Sequence, residues 1–324
     1  MDVSSQIASS VFCAFSVFIC GLLAVSLVLG AYVFYASDIG GEINHEYPVN
    51  SVIGMYGGSP ISAINDITIG QIFAIVWAIT VGVFIISMIG PKHGYFFALE
   101  KMRTFGSAPI SNYMFQATKW FSILVLTSVI IVAVQNVFGL ETLPPDIKNN
   151  LVGFYQVSNA PYIEEGIFRI LLIGIPLYMI YSHKVSASHM LKSLWNPNEH
   201  LHIERKTFTL ILICATAILF GAAHVLIGES WSEGKIAQAT IAGIILGWTY
   251  FRHGFIPALL IHIMANYMIF AVTYSAAAIS GATIIEVNES QFVNTLEILL
   301  FIAGIFAVLT VVLEMQSKRC NIDL

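Results

Sequence analysis

The feature that most constrains this chain is a succession of eight apolar runs, at 11–35, 69–89, 120–140, 160–181, 208–227, 236–251, 255–279 and 296–315. The sixth is the shortest. A helix needs about 20 apolar residues to cross a hydrocarbon core ~30 Å thick, because each residue rises ~1.5 Å. The runs are continuous and do not alternate apolar with polar, so they are not the strands of a membrane barrel. Only 10% of residues are charged and 57% are hydrophobic, whereas a soluble domain carries about 25% charged residues. Lipid must therefore cover most of the surface. The expected fold is an all-α, polytopic transmembrane helical bundle of about eight spans, an integral, multi-pass protein of a cell membrane. The first run lacks a basic flank and exceeds the 7–15 apolar residues of a signal peptide, so it reads as a retained span. No repeat or second composition appears, and 1–324 reads as a single membrane domain.

Charge gives the expected orientation. Of fourteen Lys and Arg residues, eleven fall in alternate connections and the tail: Lys92, Lys101, Arg103, Lys119, Lys184, Lys192, Arg205, Lys206, Arg252, Lys318 and Arg319. The opposite connections hold only Lys148 and Lys235, beside Asp38, Glu42, Glu46, Asp66, Glu141, Asp146, Glu229, Glu233, Glu286 and Glu289. The positive-inside rule then places both termini in the cytoplasm. The net charge of −5 argues against a nucleic-acid partner. Cys13, Cys20, Cys214 and Cys320 show no metal-binding spacing and read as small core residues. The connection 91–118 sets Tyr95, Phe96, Phe97 and Leu99 beside Lys101 and Arg103, a pattern that suits an interfacial helix or an ordinary amphiphilic connector. The longest outer connection, 36–68, is rich in Gly, Ser and Pro and reads as either an ordered lid or a loop.

Polar groups inside spans are costly and need a partner or a purpose. The fourth run opens Pro161-Tyr162-Ile163-Glu164-Glu165-Gly166-Ile167-Phe168-Arg169. Glu165 and Arg169 are four apart on one helical face and suit an ion pair. Glu164, about 100° around the helix, is left as surplus negative charge, as a general base requires. The same residues also suit a network that only fixes packing. The fifth run ends Phe220-Gly221-Ala222-Ala223-His224, with Phe220 and His224 on one face. In the seventh, His262 and Asn266 point the same way and offer neutral N–H donors for a developing oxyanion. Gly243 and Gly247 form a small-xxx-small packing stripe. Two carboxylates, an arginine, two histidines and an asparagine within spans suit water-activated hydrolysis.

Glu-Glu-xxx-Arg at 164–169, Phe-xxx-His at 220–224 and His-xxx-Asn at 262–266, in that order, resemble the CAAX protease and bacteriocin-processing family of intramembrane endopeptidases. The resemblance covers a catalytic core of about 150–275. It implies that Glu164 activates the attacking water, assisted by His224, and that His262 and Asn266 hold the oxyanion. It implies supporting roles for Glu165, Arg169 and Phe220. The expected partners are the bilayer and a peptide or membrane-protein substrate. No cofactor or metal is expected. The zinc alternative would use Glu164, His224 and His262, although no His-Glu-xx-His helix motif supports it. Gly-x-Gly-Asp and a rhomboid-type serine motif are absent.

The orientation strains this assignment. Glu164 and His224 fall near the outer ends of their runs, whereas His262 begins roughly 10 Å from the inner end of its own. Either the fourth helix starts earlier, near Leu151, with Pro161 internal, or Phe255 already lies within the membrane. An outward-leaning site implies a substrate other than a prenylated tail. A silent scaffold or immunity factor and a proton-relaying transporter remain the rival functions, the latter without a visible inverted repeat.

Overall fold

The computed structural model describes residues 3–56, 58–105, 111–145, 147–204, 206–227 and 231–320. Asp146, Arg205 and Glu229 of the charge pattern lie outside them, as do the side chains of Lys318, Arg319 and Cys320. In chain order the elements are α1 (Val3–Ala36), α2 (Val49–Met55), α3 (Ile69–Ile89), α4 (Tyr95–Phe105), α5 (Tyr113–Val137) and α6 (Asn150–Glu165). A π segment, Gly166–Gly174, carries α6 into α7 (Ile175–Tyr181). Then come α8 (Ala187–Trp195), α9 (Pro197–His200), α10 (Lys206–Leu226), α11 (Lys235–His253) and α12 (Phe255–Ile263). A second π segment, Met264–Met268, leads into α13 (Ile269–Ser280), followed by α14 (Ile284–Asn288) and α15 (Gln291–Cys320). No strand forms among the described residues, so the fold is all-helical.

Six described helical stretches are long and apolar enough to cross a membrane: Gln6–Ala36, Ile69–Ile89, Tyr113–Val137, Lys206–Leu226, Phe255–Ser280 and Gln291–Gln316. The protein is thus a multi-pass membrane protein. The fourth and sixth runs are not among the six. The fourth carries Glu164, Glu165 and Arg169, and α11 is diluted by Lys235, Gln238, Arg252 and His253. Two boundaries also move. The third run was expected from Trp120, but its helix starts at Tyr113, where the Asn112 side chain accepts the Phe115 N–H at 2.9 Å. Lys119 is tolerated inside that helix because Glu314 of α15 meets its ammonium at 3.1 Å. The fourth helix begins at Asn150, whose predecessor Asn149 caps the N–H groups of Leu151 and Val152, and Pro161 lies inside it.

One large core joins α1, α3, α5, α6, α12, α13 and α15, with Phe12, Phe73, Phe115 and Phe154 fully enclosed. A smaller core lies between α7, α10 and α11, around Ile173, Leu177, Ile213 and Tyr250. The expected glycine stripe closes α10 on α11. A methyl group on Gly243 would lie 2.9 Å from the Ala217 Cα, and one on Gly221 would lie 2.1 Å from the Thr240 hydroxyl oxygen, so only glycine permits this approach. Gly254, at φ +93, turns the chain from α11 straight into α12.

The connection 91–118 does contain a helix. Tyr95, Ala98, Leu99 and Met102 of α4 are buried, while Phe96, Phe97 and Phe105 face outward. The Tyr95 hydroxyl bonds Ser16 of α1 at 2.8 Å. The described residues of the connection 36–68 are tied to the start of the α6 region: Asn149 donates to the Gly40 carbonyl, and Lys148 donates to that of Met55.

Candidate active site

The site forms where the α6 run, α10 and α12 meet. Glu165 closes α6 as the last residue before its π segment, and its side chain is fully buried. One carboxylate oxygen, Oε2, lies 3.1 Å from Nε of Arg169. That contact is an ion pair, although its alignment falls outside hydrogen-bond geometry. The other oxygen, Oε1, accepts a hydrogen bond from His262 Nδ1 at 2.9 Å, which spans 97 residues of sequence. A carboxylate so placed is held from two helices at once. Breaking a buried charge pair of this kind costs about 3–5 kcal/mol, because the remaining charge loses its compensation.

Arg169 is fully buried, and its Nη1 and Nη2 have no hydrogen-bond partner. Its guanidinium carbon instead lies 5.0 Å from the centre of the Phe220 ring. A cation over a desolvated ring gains up to about 2 kcal/mol. Phe220 is the hub of the site. Its ring meets Phe168 edge-on at 4.9 Å, His224 at 4.7 Å and His262 at 6.0 Å.

Glu164 differs from its neighbour. Its side chain keeps 27% of its accessible surface, and its Oε2 lies 3.5 Å from His262 Nε2. Asn266 Nδ2 lies 3.4 Å from the same nitrogen. The expected pairing of His262 with Asn266 on one face therefore holds, as does that of Glu165 with Arg169. His224 stands one layer away. Its Nδ1 bonds the Phe220 carbonyl at 2.8 Å. A carbonyl only accepts, so Nδ1 is the protonated nitrogen of the neutral ring and Nε2 is left as an acceptor.

Glu164 meets His262, so the two lie level. Glu164 stands fourteen positions along the helix from Asn150, about 21 Å. The early start and internal Pro161 account for this; the run 160–181 was placed too late because Asn149, Asn150 and Asn159 interrupt the apolar pattern.

Both helices that carry the network turn π beside it. The Ile175 N–H reaches back five residues to the Ile170 carbonyl, and Met264–Met268 lies between His262 and α13. Single π turns recur at functional sites, where the wider turn re-aims a side chain.

Among the described residues no three His, Cys, Asp or Glu side chains are grouped to hold a metal ion. His262 engages Glu165 through Nδ1, and His224 engages the Phe220 carbonyl through Nδ1.

One neighbour escaped the motif reading. Lys235, first residue of α11, lies within electrostatic reach of Glu164 and His224. Its ammonium donates to Gln238 at 3.0 Å and lies 4.0 Å above the Trp231 ring. Its standing as one of two basic residues in the acidic connections was the available signal.

Residues 147–268 match a family model described as Type II CAAX prenyl endopeptidase Rce1-like. The matched segment includes all three motifs and supports the resemblance to the CAAX protease family. No curated protein and no solved structure matches the chain.

Proposed function

We propose that this protein is an intramembrane endopeptidase that hydrolyses a peptide bond with a water activated by Glu164. The observation that carries the reading is the contrast between adjacent carboxylates. Glu165 is sealed and doubly engaged, whereas Glu164 is partly open and faces His262 Nε2.

The chemistry follows from these positions. Glu164 takes a proton from water as its oxygen adds to the scissile carbonyl carbon. His224 Nε2, an acceptor, orients that water. The oxyanion is held by Asn266 and by His262. Here the tautomer matters: with Nδ1–H bound to the Glu165 carboxylate, the neutral ring has no proton on Nε2. His262 therefore donates to an oxyanion only as an imidazolium, not as the neutral donor expected from sequence. Collapse of the tetrahedral intermediate breaks the C–N bond, and Glu164 returns its proton to the departing amine. No step requires a metal.

The proposed topology has eight passages with both termini cytoplasmic, with α6–α7 and α11 completing the six apolar stretches. The site then opens toward the acidic end of the bundle. His224 lies two residues from the end of α10, and Lys235 begins α11, which supports that opening. The substrate is accordingly a peptide or membrane protein other than a prenylated tail.

The test is cleavage of a fluorogenic peptide library by wild type, Glu164→Gln and His224→Ala, with and without a strong chelator. Loss of cleavage in both variants with indifference to chelation is the expected result. Loss on chelation overturns the metal-free route, and absence of cleavage by every form moves the assignment to a scaffold.

A further inference from the structure

The opposite end of α11 borders a second polar cavity, remote from the motifs. Arg252 is seventeen residues from Lys235, or about 26 Å along the helix. The cavity has a volume of about 750 Å³ and lies where α5 begins and where α11 and α15 approach their ends, with α9 across its mouth. That volume is in the range of small-molecule sites, about 300–1,000 Å³.

Its lining has unmet needs. Lys119 is neutralised by Glu314, at 3.1 and 3.3 Å to the two carboxylate oxygens. Lys92 is only loosely engaged, 4.0 Å from Glu199, and both side chains are exposed. Arg252 is exposed and has no carboxylate within ion-pair distance among the described residues. Two free or nearly free cations thus face the cavity. The indole N–H of Trp120 is buried and has no hydrogen-bond acceptor, and the buried Asn196 Oδ1 has no donor. A buried polar group without a partner is unfavourable, so an occupant that accepts from Trp120 and donates to Asn196 is favoured. Met315 and Val311 supply an apolar edge, and Trp248 a second indole. Indoles concentrate at the boundary between lipid and water.

We infer that this cavity binds the headgroup of an anionic phospholipid, its phosphodiester facing Arg252, Lys92 and the Trp120 N–H. A headgroup hydroxyl, such as that of phosphatidylglycerol, donates to Asn196 Oδ1. An acyl chain leaves along Met315 and Val311. Charge complementarity and the position at the ends of spanning helices both favour a lipid over a soluble ester, and basic pockets between membrane helices are suited to such headgroups. The inference is independent of the proteolytic reading, since no motif residue lines the cavity.

The test uses the full chain in a neutral detergent, titrated with dihexanoyl phosphatidylglycerol, dihexanoyl phosphatidylcholine or sodium phosphate. Bound ligand is counted by native mass spectrometry. Phosphatidylglycerol is expected to bind at least tenfold more tightly than phosphatidylcholine. Lys92→Gln with Arg252→Gln removes that preference; both residues are exposed, so the unliganded melting temperature stays unchanged. Trp120→Phe keeps an aromatic ring and loses the N–H, and it weakens phosphatidylglycerol alone, which tests the site without altering charge. Equal binding of the two lipids overturns the inference, as does a preference unaltered in both variants. Displacement of phosphatidylglycerol by equimolar sodium phosphate overturns the lipid assignment and makes this a site for soluble phosphates.

Discussion

Two buried charge clusters occupy opposite ends of α11, and they differ in how evenly their charges balance. At the basic end, Lys119 of α5 meets Glu314 of α15, one cation against one carboxylate, and Glu314 keeps 21% of its side-chain surface. Both sit in regular α-helix. At the other cluster, two carboxylates and a histidine surround one arginine, and Glu165 and Arg169 have no exposure at all. Arg169 retains donors without partners, and both helices depart from α geometry. A buried ion pair therefore does not by itself identify a reactive site. Surplus carboxylate and unmet donors beside distorted helices are what set the proposed site apart from the Lys119–Glu314 pair.

That contrast can be broken most sharply at Glu164. Glu164→Gln should lower peptide cleavage by at least about 100-fold and leave the thermal unfolding temperature unchanged, since this carboxylate is partly open. Equal losses of fold and activity would make it another structural charge. Next in size is Arg169→Met, which strands Glu165 and should destabilise by about 3–5 kcal/mol in denaturant unfolding. Lys119→Met should cost only about 1–2 kcal/mol, because Glu314 keeps water; equal costs would erase the distinction. Phe220→Leu removes the ring from beneath the guanidinium and should cost roughly 0.5–2 kcal/mol for that contact.

The smallest effect is expected at Glu286, an exposed carboxylate that serves as a reference. It accepts from the Thr283 backbone N–H at 2.8 Å and from its hydroxyl at 2.9 Å, and these bonds hold its carboxyl below the usual range. A lowered folded value means that its contribution is present above an ordinary glutamate pKa of about 4.3 and fades as pH falls through the lowered value. The protection of the 284–288 amides, taken against the intrinsic exchange rate at each pH, should fall in acid for wild type, and Glu286→Ala should show the lower protection already at neutral pH.

Much of this was legible in the residues alone. Continuous apolar runs define spanning helices whatever they pack against, and α3 falls at 69–89 as expected. Spacing of four paired Glu165 with Arg169 and His262 with Asn266, because such pairs are set by one helix. Contacts between helices were not legible: nothing local to Glu165 shows that His262 shares it. Boundaries failed where a polar residue is paid for at long range, as Lys119 is by Glu314, or where asparagines hide the start of a helix, as at Asn150. The π turns left no pattern at all.

The bond between Glu165 and His262 also orders events during synthesis. The α6 helix and the π segment that continues it bear three charges and are not among the stretches apolar enough to cross a membrane unaided. Their stabilising histidine emerges 97 residues later. At ~5–20 residues per second, that delay is about 5–20 s. Throughout it, the nascent segment must wait in an environment that tolerates charge, sheltered by the insertion machinery or by the spans already in place, and translation speed across 165–262 becomes a determinant of yield.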